Sequence, residues 1–191
     1  MRKFFISALV MFLAYQGAYH QSHKDEKPFV TYSNGKPAVW KAQTPICLSF
    51  DNRPQSLTKP KIVQVENYFR NLTGIDINTG CKFSNVQVKF GIRTQLSYLA
   101  NNSAVGAAVA LLNTKNKVEI VGGKIQIDEL AYSVSSDRNR FNLLLHELGH
   151  VIGLAQSQDG GLMMPVLTEI NHESYPAKAM LELVSASRLL H

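Results

Sequence analysis

Cysteine is scarce in this chain: only Cys47 and Cys81 occur in 191 residues, and a lone pair at that spacing is not a metal motif. Charge is scarce too. Charged residues make up 18% of the chain, the net charge is +6, and no Lys/Arg block or aromatic-basic stripe appears. That pattern describes a solvated basic surface and argues against a nucleic-acid partner. Beyond the first residues no apolar run is long enough for a membrane helix. Internal repeats and low-complexity segments are also lacking. What remains is a 45% hydrophobic composition, enough to bury the core of one domain.

The N-terminus reads as an export signal over residues 1–18. Arg2 and Lys3 form a positive region, and Phe4 to Tyr15 is an apolar run too short to span a bilayer. Ala18 is a small residue at a plausible cleavage position, and an uncleaved anchor is the alternative. The expected location is therefore secreted or periplasmic, with no membrane association beyond the signal. In such a compartment Cys47 and Cys81 would most simply pair, closing a loop of about 35 residues worth up to about 4 kcal/mol. Two buried free thiols are the alternative.

Residues 19–39 are polar, include the turn-forming pair Asn34-Gly35, and read as a lead-in or short propeptide. Residues 40–191 then read as one domain. Thr44 to Phe50 suits a strand. Ser56 to Gly74 predicts a helix with Thr58 as cap, Pro60 in the first turn and Ile62, Val65, Phe69 and Leu72 as its stripe. Alternation over Asn85 to Phe90 predicts a half-buried strand, and Ser103 to Leu112 a strand or bulged edge. Val118 to Val121, Gly122-Gly123 and Lys124 to Asp128 resemble a hairpin. A helix capped by Ser136 or Asp137 carries Phe141, Leu144, Leu145, Leu148 and Ile152, with His146 and His150 off that stripe, facing a cleft. A last helix is expected from about Pro176 to Leu190. The order implies a mixed α/β (α+β) domain with one sheet.

Residues 146–156 read His-Glu-Leu-Gly-His-Val-Ile-Gly-Leu-Ala-Gln. On a helix, His146 and His150 project from one face a turn apart, a spacing that can hold one Zn²⁺. Glu147 can reach a zinc-bound water as general base. Gly153 lets the helix end. A third ligand is expected three residues later, where Gln156 stands. Gly161-Leu162-Met163-Met164-Pro165 follows.

Together these runs resemble the metzincin clan of zinc peptidases, and within it the matrixin-like, bacterial-type group. Lys36 to Phe50, with Trp40 before a Cys-containing strand, is similar to the entry of such domains. The resemblance implies a single metzincin-like domain with a twisted mixed sheet, an active-site helix, a Met-turn at Met163 and a C-terminal helix. It implies a secreted Zn²⁺-dependent endopeptidase acting on a peptide or protein substrate, with Glu147 as base and His146, His150 and Gln156 as ligands. A structural Ca²⁺ is common in relatives, but no residues here locate one. Substrate would pair with a sheet edge, either Val109 to Asn113 or Val118 to Val121. Gln156 is a neutral donor, weaker toward Zn²⁺ than imidazole. It ligates weakly, or Asp159 or His172 replaces it, or the site is weakened. The alternative function is therefore a catalytically weakened or inactive metzincin-fold binding protein. The pattern has no cysteine switch and specifies no oligomeric state.

Overall fold

The computed structural model describes residues 30–100, 104–156, 161–164, 175 and 180–181. The export segment, Asp159, His172 and most of the expected C-terminal helix lie outside the described residues. Two short strands, β1 (Tyr32–Ser33) and β2 (Lys36–Pro37), form a hairpin around Asn34 and Gly35, which have φ of 53° and 71°. β3 (Val39–Trp40) follows directly, so part of the expected irregular lead-in is ordered strand.

The remaining elements are β4 (Ile46–Asp51), α1 (Lys59–Thr73), β5 (Ile77–Thr79), β6 (Val86–Gly91), a 3₁₀ turn at Arg93–Gln95, β7 (Gly106–Leu112), β8 (Glu119–Asp128), α2 (Glu129–Val134) and α3 (Asp137–Val151). The sheet runs β3-β8-β6-β4-β5, with β7 on the opposite flank of β8. All pairings in it are parallel except β7 with β8. β3 takes the start of β8 and β6 takes the rest, so both share one flank. Among the described residues β7 and β5 lie at the two outer sides of the sheet.

Local chemistry explains the helices. Pro60 sits in the first turn of α1, where its missing N–H costs nothing, and Gly74 ends the helix in the left-handed conformation. Ile62, Val65 and Phe69 are buried, as their spacing requires. Ser136 caps α3 by accepting from the Asn139 N–H at 3.2 Å. Lys61 and Asp137 tie the two helices at 2.7 Å, and Tyr68 meets Phe141 edge-on. Leu48, Val88 and Ile125 of the sheet face Ile62, Val65, Leu144 and Leu148 across one small gap, which puts both helices over the same face.

The hairpin expectation needs correction. Gly122-Gly123 is not a hairpin turn. Both residues lie inside the continuous strand β8, without positive φ. A Cβ at Gly122 would stand 2.6 Å from the Asn85 carbonyl oxygen, and one at Gly123 would stand 2.8 Å from Val151. These glycines admit close neighbours, and the true hairpin joins β7 to β8. α2 was not anticipated. Asp128 caps it by accepting from the Ala131 N–H at 3.1 Å, but Leu130 and Val134 stay exposed, so it has no buried stripe to read.

The metzincin-specific architecture is also corrected. The observed arrangement is a generic mixed α/β layer structure. An active-site helix with a Met-turn presupposes a metal cluster, and the described residues form none.

Cys47 of β4 and Cys81 form a disulfide, with Cα atoms 5.8 Å apart and a sequence separation of 34. The double variant Cys47→Ser/Cys81→Ser should lose about 2–4 kcal/mol of unfolding free energy in urea titration. An unchanged midpoint would show that the unfolded chain gains little from release of this loop. Gly153 has φ of 105°, and an added Cβ there would collide with the Ala38 carbonyl oxygen. Gly153→Ala should therefore cost at least about 2 kcal/mol in the same assay. A loss within a few tenths would contradict the geometry.

Candidate functional site

α3 carries the polar residues singled out by the sequence, and their surroundings differ from a cleft-facing row. Asn142 through Gly149 are all buried. His146 is 6% exposed and Glu147 3%, while His150 is half-buried. The sheet covers one side of the helix. Met163 and Tyr175 cover another: a Cβ at Gly149 would stand 2.9 Å from the Tyr175 ring. Tyr175 donates its hydroxyl to the Leu145 carbonyl at 2.6 Å and meets Phe69 edge-on. Burial, and then the neighbouring Tyr68, push its pKa well above the usual tyrosine value. Nothing in the pattern around Tyr175 marked it, since an isolated tyrosine has no periodicity.

The histidine tautomers follow from their partners. His146 Nδ1 lies 2.6 Å from the Leu162 carbonyl oxygen, and His150 Nδ1 lies 2.8 Å from that of Leu154. A carbonyl only accepts, so each Nδ1–H donates and each Nε2 keeps its lone pair in the neutral ring. The two Nε2 atoms face one another at 3.1 Å, with the rings nearly perpendicular. Burial lowers both histidine pKa values, that of His146 to about 3 with the nearby His150 contributing. Leu162 thus orients His146 through its backbone, a role that side-chain chemistry cannot reveal.

Glu147 points elsewhere. Its carboxyl lies over the backbone of Gly106, the first residue of β7. A Cβ on Gly106 would collide with Oε1 and stand 2.9 Å from Cδ. Oε2 is buried with no hydrogen-bond partner, and desolvation raises the pKa to about 8. The histidine Nε2 atoms therefore offer lone pairs, and the carboxyl of Glu147, which burial favours in its protonated form, offers both a donor and an acceptor.

The donor set decides the metal question. A catalytic zinc takes three protein ligands. Among the described residues no group of three or more His, Cys, Asp and Glu side chains is placed to hold a metal ion. His146 and His150 supply two. Gln156 is half-buried beyond the helix end and adds no residue of those types. The Zn²⁺ and Ca²⁺ expectations are corrected accordingly. With them go the zinc endopeptidase, its metzincin and matrixin-like resemblance, and the weakened-metzincin alternative. The role of Glu147 as base to a metal-bound water falls with that water. Met163 is a fully buried packing residue against α3. No protein-family model matches the chain, and no curated protein matches it.

The site should make stability depend on pH in two opposed ways. For Glu147 the folded pKa of about 8 exceeds the ordinary 4.5. The native state then holds a proton that the unfolded state has lost, and stability falls as pH rises through that window. For His146 the folded value of about 3 lies below the ordinary 6.5, so stability falls as pH drops between them. Glu147→Gln should flatten the alkaline limb and leave the acidic limb in place, read as urea midpoints from about pH 4 to pH 9. Parallel curves for both proteins would contradict this assignment.

Proposed function

We propose that the protein binds an extended segment of another polypeptide, which joins the sheet as a strand on the free flank of β7. The observation that carries this reading is the edge itself. β7 pairs only with β8 among the described residues, and its sequence, Gly-Ala-Ala-Val-Ala-Leu-Leu, contains no charge and no proline. Exposed edges are normally guarded by such residues against pairing with other chains. The half-buried end of this edge, Ala110 to Leu112 beyond the buried Gly106 to Val109, is where strand addition would begin.

Of the two edges considered from the sequence, this is the one with an unpaired flank among the described residues, because Ile120 of β8 has strand partners on both sides. Both faces of β7 are also supported. Ala108 packs into the main core under α3, whereas Ala107 and Val109 pack with Leu96, Tyr98 and Leu99. A rigid edge of this kind loses little conformational entropy on binding. Action in an oxidising compartment outside the cytoplasm belongs to the same proposal. The basic and apolar residues 2–15 and the Cys47–Cys81 bridge support it.

A fluorescein-labelled octapeptide of alternating Thr and Val, chosen for strand propensity, serves as probe in anisotropy titrations. Binding should fall about ten-fold or more when alternate amides along one edge of the peptide are N-methylated, and change less than about two-fold when the other edge is. No binding, or equal loss from both edges, would sink the proposal.

A further inference from the structure

A cavity of about 330 Å³ lies between the β3–β4 connection and the loop that follows α1. That volume is at the lower end of small-molecule sites. The buried residues Val39, Trp40 and Ile152 line it, and Ile75 and Met180 add half-buried apolar surface. The Trp40 Nε1–H donates to the Thr44 carbonyl at 2.7 Å, which fixes the indole and satisfies its polar edge. The rest of the ring is apolar. The polar lining is unequal in charge. Asp76 stands at the cavity, but Arg70 already pairs with it at 3.1 Å. Lys41, Ala42 and Gln43 stand there too. The Lys41 ammonium and the backbone N–H groups of Ala42 and Gln43 have no partner among the described residues. These three residues belong to one turn, closed by the Thr44 N–H on the Lys41 carbonyl at 3.3 Å. Gln43 takes a φ of 57° in it, a left-handed conformation that costs free energy for any residue with a side chain. Strain of this kind collects at ligand clamps.

We propose that this cavity binds a small monocarboxylic acid with an apolar body. The body rests on Trp40 and Ile152, and the carboxylate meets Lys41 and the free N–H groups of its turn. The uncompensated charge at the cavity is the positive one of Lys41, because Arg70 and Asp76 offset each other. A carboxylate answers it with charge-assisted hydrogen bonds. A neutral ligand with the same body leaves it unanswered, and a cationic one is repelled. The apolar walls add affinity without selecting among such bodies.

Trp40 is the one tryptophan of the chain, so its emission reads the cavity directly. Octanoate serves as probe, with 1-octanol as the neutral control and octylamine as the cationic one, all at fixed ionic strength. Octanoate should change the Trp40 emission along a saturating curve, with one site per chain by equilibrium dialysis. The two controls should bind at least about five-fold more weakly. Lys41→Gln should weaken octanoate about five-fold or more and change 1-octanol less than about two-fold, a split that a merely structural role would not produce. Ile75→Phe, which narrows the apolar wall, should weaken both, with urea midpoints establishing that each variant is folded. A response to octanoate that does not saturate, or equal affinity for octanoate and 1-octanol, would overturn the proposal. So would native octanoate affinity in Lys41→Gln or in Ile75→Phe.

Discussion

Helix α3 is buried on almost every side, and the rest of the molecule is arranged to permit that. A helix normally shows one polar face to water. Here the sheet takes one side, α1 another, and Leu162, Met163 and Tyr175 a third. Close approach explains the small residues around it: Gly123 on the sheet side and Gly149 on the side of Met163 and Tyr175 leave no room for a Cβ.

The same burial sets the chemistry of the polar residues on that helix. In water, His146, Glu147 and His150 would be ordinary titrating groups. Within the core the imidazoles are held neutral and the carboxyl tends to keep its proton. Backbone carbonyls satisfy one nitrogen of each ring and leave the other as a lone pair, while Glu147 keeps an unpartnered oxygen against β7. The unpartnered oxygen of Glu147 lies against the first residue of the β7 edge.

Periodic features of the chain were legible before folding. Ile62, Val65 and Phe69 announced α1, the alternation of Val86, Val88 and Phe90 announced β6, and Leu144, Leu145 and Leu148 announced the core face of α3. Features set by neighbours were not. Gly122-Gly123 has the composition of a turn, and only the positions of Asn85 and Val151 make it a strand crossing under close contact. α2 escaped notice because it depends on the Asp128 cap and buries just Tyr132. The histidine spacing puts both rings on one face of the helix, but whether a third ligand joins that face depends on loops distant in sequence. Among the described residues no third His, Cys, Asp or Glu joins them.

By itself, then, the sequence determined the elements whose identity rests on short-range periodicity and capping: α1, β6, α3 and the pairing potential of two cysteines. Tertiary structure decided which edge is unpaired among the described residues, which faces of α3 are buried, and what surrounds the two histidines. The physical reason is that local pattern encodes which way a side chain points within its own element. What it then meets is set by elements brought together through long-range packing.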